Sequence, residues 1–279
     1  MAAFIIMMGC GATGCAQNRH MIPPSAVRTE MSHPEHVEFN RGYFRGYLSD
    51  THDIIVSPLH WKGRQWMEVA LVTGTTVALY SVDGEIQREV QEDRSSWSNE
   101  TARAARRFGD GQYTLPVLGA FYLYGRFGGD AKAAETALLG LESFVVSGIF
   151  TGALKALGHR DRPYTGQPYN TWHGPGTGLS DSNLSFPSGH STSAFSLATV
   201  FATEYVDNRF IPPAAYGIAT LTALSRVNDN DHWLSDVFFG SAVGYFTAKA
   251  ICSMHSNPRT TVLPVFDGKY AGFMINHPY

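Results

Sequence analysis

The apolar positions of the chain gather into segments of helical length separated by short polar punctuation. The most apolar charge-free runs are Val69 to Val82, Gly111 to Gly125, Phe210 to Ser225 and Val237 to Ala248, and none exceeds 16 residues. A membrane span needs about 20. These runs are therefore expected as buried helices of a soluble or surface-attached bundle.

Punctuation divides the chain further. Ser57 is a cap candidate and Pro58 suits a first helical turn, opening a segment that continues to about Tyr80 before Asp83-Gly84 stops it. A charged amphipathic stretch, Ser98 to Phe108, is followed by Gly109-Asp110-Gly111 and an aromatic helix over Gln112 to Phe127. After Gly128-Gly129-Asp130 comes a long helix, Ala131 to about Leu157, apolar on most faces and hence central. Pro163 to Pro187 is a Gly-, Pro-, Ser- and Asn-rich loop, and loops of that length in compact domains are usually functional. Three more helical segments follow near Gly189 to Tyr205, Pro212 to Arg226 and His232 to Ser253. The last 19 residues differ: Thr261 to Phe266 and Lys269 to Ile275 flank Asp267-Gly268, a hairpin signal. The expected class is all-α with a small C-terminal β-hairpin.

Composition narrows the function. With 279 residues, 21 Lys plus Arg against 24 Asp plus Glu, and a net charge of −3, no bulk positive field is available to hold nucleic acid. A hydrophobic share of 44% supports a large core and excludes a disordered scaffold. No internal repeat or long linker divides the chain, so one helical domain (41–260) is expected between a leader (1–16), a polar Pro-containing tether (17–40) and the hairpin (261–279). The leader has an apolar stretch, Ala2 to Met8, then small residues from Gly9 to Ala16, the pattern that ends an export signal. Ala12-Thr13-Gly14-Cys15 is close to a lipobox, with lipidation of Cys15; cleavage after Ala16 is the competing reading. An extracytoplasmic, periplasmic protein anchored at its N-terminus is expected. Cys252 stands alone in an apolar segment as a small buried residue.

The second half carries three local motifs: Lys155, six residues, Arg162-Pro163; Pro187-Ser188-Gly189-His190; and Ser225-Arg226, five residues, His232, three residues, Asp236. Each alone has a bland explanation. Together, eleven specified residues at about 5% frequency each, over a few hundred thousand gap placements, give a chance match on the order of 10⁻⁹. A phosphoryl group in transfer spreads charge over three equatorial oxygens, and Lys155, Arg162 and Arg226 are three cations suited to them. Ser188 and Gly189 stand at a helix start, where free N–H groups bind anions and a glycine admits close approach. If a helix begins by His232, Asp236 one turn on orients the imidazole and leaves its other nitrogen as a nucleophile. His190 is placed to protonate the leaving oxygen.

These motifs resemble the type 2 phosphatidic acid phosphatase (PAP2) superfamily, which includes bacterial acid phosphatases, lipid phosphatases and vanadium haloperoxidases, over roughly Leu138 to Ala250. The resemblance implies a helical bundle around one phosphate pocket and metal-independent hydrolysis of a phosphomonoester or lipid phosphate. His232 becomes a transient phosphohistidine, hydrolysed by water that His190 activates. No cofactor is implied, and vanadate is expected as an inhibitor. The rival readings are a vanadate-dependent haloperoxidase, disfavoured by chain length, and an inactive phospholipid-binding module, disfavoured by the presence of both histidines. The expected partners are a phosphorylated lipid or small molecule and a membrane surface. His159 and Asp161 are expected as solvated loop residues, and Asp229 and Asp231 as a solvated turn. His173 and Trp172 are even candidates for the pocket mouth. Tyr43, Phe44, Tyr47 and Trp61 suit either membrane docking or packing of the first helices.

Overall fold

A computed structural model describes residues 41–178, 180–256, 261–267 and 270–276. The expected leader and tether lie outside the described residues. Among the described residues from Arg41 to Ser256 every regular element is helical: α1 (Arg41–Val56), α2 (Gly63–Tyr80), α3 (Asp83–Glu92), α4 (Ser96–Ala105), α5 (Gly111–Gly128), α6 (Ala131–Gly158), α7 (Gly189–Glu204), α8 (Ile211–Asn228) and α9 (Leu234–Ser256), with short 3-10 turns between them. The all-α expectation holds over this range.

The helix starts follow from local chemistry. Asp110 accepts from the Gln112 N–H (3.0 Å) to cap α5, Asp130 accepts from Ala133 N–H (3.0 Å) to cap α6, and Ser188 caps α7. Each satisfies an N–H that the first helical turn leaves without a partner. Gly129, at φ +76°, ends α5 in the left-handed conformation that favours glycine.

Three expectations need correction. Ser57-Pro58 opens only a 3-10 turn (Ser57–His60), and the Ser57 hydroxyl donates back to the Ile54 carbonyl at 2.8 Å, closing α1. The helix does end at Tyr80, as expected, but the break is at Ser81-Val82 and not at Asp83-Gly84: Asp83 is the first residue of α3, where a carboxylate is favoured by the helix dipole. The helix extents expected at Ala131 to Leu157 and His232 to Ser253 hold, but the charge-free runs understate how much of them could span. α6 has 28 residues and α9 has 23, and both are long and apolar enough to cross a membrane by length and composition, with about half of each apolar window buried.

α7 lies among α6, α8 and α9. It meets α9 at backbone distance, because a Cβ on Gly240 would sit 2.5 Å from the Ser188 carbonyl and one on Gly244 would collide with that of Thr192. Ala194, Phe195 and Ala198 pack with Ala219, Ala223 and Val227 of α8 and Val237 of α9. A second cluster joins Leu139 and Val146, Val200, and Ala248, Ile251 and Cys252, so Cys252 is buried as expected. α1 is tied on by an ion cluster in which His255 Nε2 lies 3.3 Å from Asp50 and 3.2 Å from Glu142. Trp61 of the Ser57–Lys62 connection donates to Ser57 (3.1 Å) and packs edge-on against Trp66.

Candidate active site

The ends of α6, α7 and the α8–α9 connection meet around an open cavity of about 330 Å³. Its wall includes Lys155, Arg162, Gly189, His190 and His232 from the three motifs, with Asp110, Thr151 and Ser193 beside them and Phe144, Gly148 and Gly152 along α6. Five of the eight expected site residues thus share one cavity. Ser188, Arg226 and Asp236 are buried and do not line it.

Each cavity residue is held from behind. Lys155, in the last turn of α6, donates to the Leu184 carbonyl. Arg162 donates to Asp181 (2.8 Å) and lies 3.9 Å from Asp231. Gly189 opens α7 with empty space where a Cβ would project. Ser188 is fully buried, and its hydroxyl accepts from the Ser191 hydroxyl at 3.0 Å and its N–H at 3.4 Å, so it is spent on the cap. Arg226 donates to Asp229 (3.1 Å) and to Asp231. Asp229 also pairs with Arg106 at 3.3 Å. The expected solvated turn is therefore an ion-paired clamp on Arg226.

Both histidines are kept neutral by their surroundings. Burial, followed by the Arg226 charge, pushes the His190 imidazolium down to about 4. His232 is held well below the ordinary histidine range, first by burial and then by the Lys155, Arg162 and Arg226 charges. Both causes disfavour a proton on the ring. Nδ1 of His232 lies 2.7 Å from the Ser185 carbonyl. A carbonyl only accepts, so Nδ1 carries the hydrogen and Nε2 keeps its lone pair.

The expected His232–Asp236 contact is not made directly. α9 starts at Leu234, two residues after His232, and the two side chains stand 3.9 Å apart. Asp236 instead turns back on the helix start, accepting from the Trp233 N–H (3.0 Å) as the third helical residue of a capping box does. It also accepts from the Ser185 hydroxyl (2.5 Å) and from Arg160 (2.5 Å). Asp236 therefore holds Ser185 by its hydroxyl, and Ser185 holds His232 by its carbonyl.

Arg160 and Asp83, two residues that the motifs do not single out, complete this support. Arg160 is fully buried and bridges Asp236 to Asp83, which accepts from its guanidinium at 2.8 Å. Asp83 also takes the hydroxyl (2.5 Å) and N–H (2.9 Å) of Ser235, pinning the start of α9. The rings of Tyr80, Trp172 and Trp233 lie 4.7, 5.3 and 5.4 Å from the guanidinium carbon. Trp172 thus packs on Arg160, and neither it nor His173 lines the cavity; His173 Nε2 sits 2.8 Å from Asp161. His159 and Asp161, expected in solvent, are 2% and 8% exposed.

Comparison with known proteins bears on the same segment. Residues 136–259 match the family model of the PAP2 superfamily. A curated relative, "Lipid A 1-phosphatase" of Porphyromonas gingivalis, is 46% identical over 61 residues, which is 22% of this chain and 14% of that protein. The match thus spans about one seventh of the relative's length. Among solved structures, the transmembrane PAP2 type phosphatidylglycerolphosphate phosphatase from Bacillus subtilis is 19% identical with a TM-score of 0.47, covering 78% of this chain and 96% of its own. Aquifex aeolicus LpxE is 20% identical with a TM-score of 0.47, covering 61% and 93%. Residues 136–259, the stretch that matches the PAP2 superfamily model, hold all eight expected site residues.

Proposed function

We propose that the protein is a phosphomonoesterase that removes the terminal phosphoryl group of a phosphorylated lipid, without a metal, through a phosphohistidine on His232. The observation that carries this reading is the pairing of two neutral imidazoles, His232 and His190, on one cavity wall with Lys155, Arg162 and the start of α7. The family match and the lipid A 1-phosphatase relative point to the same chemistry.

The steps follow from the donors and acceptors present. Lys155, Arg162 and the first N–H groups of α7 take the equatorial oxygens, and Arg226, whose charge is felt at both His190 and His232, adds to the positive field. Arg162 and Arg226 each retain a buried Nε–H without a partner among the described residues, donors that an oxyanion suits. Nε2 of His232 attacks phosphorus as the ester P–O bond breaks. His190 gives its proton to the departing oxygen, a proton that the incoming phosphoryl charge brings onto the ring. His190, now neutral, removes a proton from water; the water oxygen bonds to phosphorus, the P–N bond breaks, and phosphate leaves. The three cations take the charge-neutralising part that a metal plays elsewhere.

A lipid source fits the outer surface. α2 buries none of its residues, while Trp66, Leu71 and Val77 are exposed; Val117, Leu123 and Phe127 of α5 and Ile149 of α6 are exposed as well. Helices that are apolar outside as well as inside suit a bilayer, with α6 and α9 as spans. Export and anchoring through the leader belong to this reading, as does the terminal hairpin, supported by antiparallel pairing from Thr261↔Asn276 to Asp267↔Tyr270.

The test is release of inorganic phosphate from lipid and soluble phosphomonoesters in excess chelator, with and without vanadate. Turnover that persists in chelator and stops with vanadate is expected. Loss in chelator with rescue by a divalent ion overturns the metal-independent route.

A further inference from the structure

Resting on the phosphatase reading, we propose that Asp110 selects the substrate's body: it accepts a hydrogen bond from a hydroxyl or ammonium group on the carbon next to the phosphoester carbon. Asp110 is the carboxylate on a cavity wall otherwise supplied with cations and imidazoles. A bare carboxylate there opposes a phosphate dianion, so its presence calls for something on the ligand that repays the repulsion.

The local structure leaves one of its oxygens available. Oδ1 caps α5 through the Gln112 N–H, and Asp110 takes part in no ion pair among the described residues. The neighbouring arginines are engaged elsewhere: Arg106 pairs with Asp229 at 3.3 Å, and Arg107 lies over the Tyr113 ring at 5.6 Å. The turn that carries Asp110 is also fixed in place. A Cβ on Gly109 would lie 2.5 Å from the His190 carbonyl and 2.9 Å from Thr222, and one on Gly111 would lie 3.2 Å from the Phe144 ring. The carboxylate is thus held by a turn pressed against the backbone of His190.

Asp110 and His190 share the cavity wall, so the two act on neighbouring parts of the ligand. His190 protonates the departing oxygen, so the leaving group begins at His190, and its first carbons run past Asp110. A donor on the second carbon meets the carboxylate, whereas a plain alkyl chain leaves it unpaired beside the phosphate. The favoured class is a phosphomonoester whose alcohol carries an adjacent hydroxyl or amine, as hexose 1-phosphates and glycerol phosphates do. Beyond the donor, Gly148, Gly152 and Phe144 leave an open apolar wall along α6 for the remainder.

The experiment compares dodecyl phosphate with 2-hydroxydodecyl and 2-aminododecyl phosphate on the full-length protein in detergent, as wild type and as Asp110→Asn. Asparagine caps a helix as well as aspartate does, so α5 keeps its start. The wild type should prefer the hydroxyl and amino substrates by about tenfold or more in kcat/KM, the scale of a hydrogen bond to a charged acceptor. In Asp110→Asn the two donor substrates should lose about tenfold while dodecyl phosphate gains several-fold, because the repulsion is gone. A fall of all three substrates together, with the acid limb of the pH profile displaced, would mean that Asp110 acts only through His190 and overturns the proposal. No change in any of them reduces Asp110 to a cap and overturns it too. If the variant does not fold, the wild-type preference still decides, since equal turnover of the three substrates contradicts the selection. Absence of phosphate release from every substrate removes the phosphatase reading itself, an outcome distinct from the others.

Discussion

Substituting Asp83 by Asn perturbs the site from a helix that touches no substrate. Three donors converge on this carboxylate: the Arg160 guanidinium at 2.8 Å, the Ser235 hydroxyl at 2.5 Å and the Ser235 N–H at 2.9 Å. Asparagine has one oxygen, so it satisfies at most the first two, and its amide hydrogens then face the Ser235 N–H. A buried donor without a partner costs about 1–3 kcal/mol, and weakening a charge-assisted bond to Arg160 adds roughly 1–2 kcal/mol. Breaking a buried ion pair outright costs about 3–5 kcal/mol, but Arg160 keeps Asp236 as a partner, and relief of repulsion between the two carboxylates offsets part of the loss. The expected net is about 3 kcal/mol. At roughly 2–4 °C per kcal/mol for a chain of this size, the melting temperature in detergent should fall by about 6–12 °C. Activity should fall with it, because Ser235 pins the start of α9, and with it Asp236, Ser185 and His232. We expect kcat down by about tenfold with KM little changed, since Lys155 and Arg162 still bind the phosphoryl group. A melting temperature within 2 °C of wild type, about 1 kcal/mol or less by the same scaling, would refute the claim that Asp83 holds this network.

Three further outcomes follow from the same geometry. Arg226→Lys should lose roughly 100-fold or more in rate, because a point charge cannot answer Asp229 and Asp231 and an oxyanion at once; a near-normal rate in the folded variant would make Arg226 a structural neighbour only. The pH profile should be acid-shifted: the first step needs His190 protonated and His232 neutral, and His190 in the free site gives up its proton at about 4, so kcat/KM should decline as pH rises from the acid side towards neutrality. Stability should run the other way. The native state holds His190 neutral while the unfolded chain accepts a proton below about 6.5, so up to roughly 3 kcal/mol is lost as pH falls from 6.5 to 4, measurable by thermal unfolding in chelated buffers.

What the sequence makes legible here is whatever depends on local chemistry. Asp110, Asp130 and Ser188 are cap residues before apolar segments, and those helices start where the caps stand. The three motifs fall at helix ends, so their convergence on one cavity follows once the helices pack. Arg160 lies in the first motif's spacer and Asp83 lies 77 positions earlier, and no local pattern signals a pairing across that distance. Asp83-Gly84 reads as a stop because the pair favours turns; burial against Arg160 and Ser235 outweighs that preference. The position of Asp236 was more accessible: an acidic residue three places after Trp233 fits a capping box, which turns the side chain towards the backbone and away from His232. The extents of α6 and α9 are legible in the sequence, at Ala131 to about Leu157 and His232 to Ser253, but counting charge-free runs hides their span-like length, because Glu142 lies in the middle of α6, buried against His255.

The central claim is that His232 becomes covalently phosphorylated and that His190 serves both as leaving-group acid and as the base for water. Rapid mixing of His190→Ala with nitrophenyl phosphate tests it most directly, because nitrophenolate departs without a proton whereas hydrolysis of the phosphoenzyme still needs the missing base. We predict a burst of about one nitrophenolate per active site, then a stall, with acid-labile phosphate on His232, and no burst from His232→Ala. A burst from His232→Ala with none from His190→Ala would contradict the assignment.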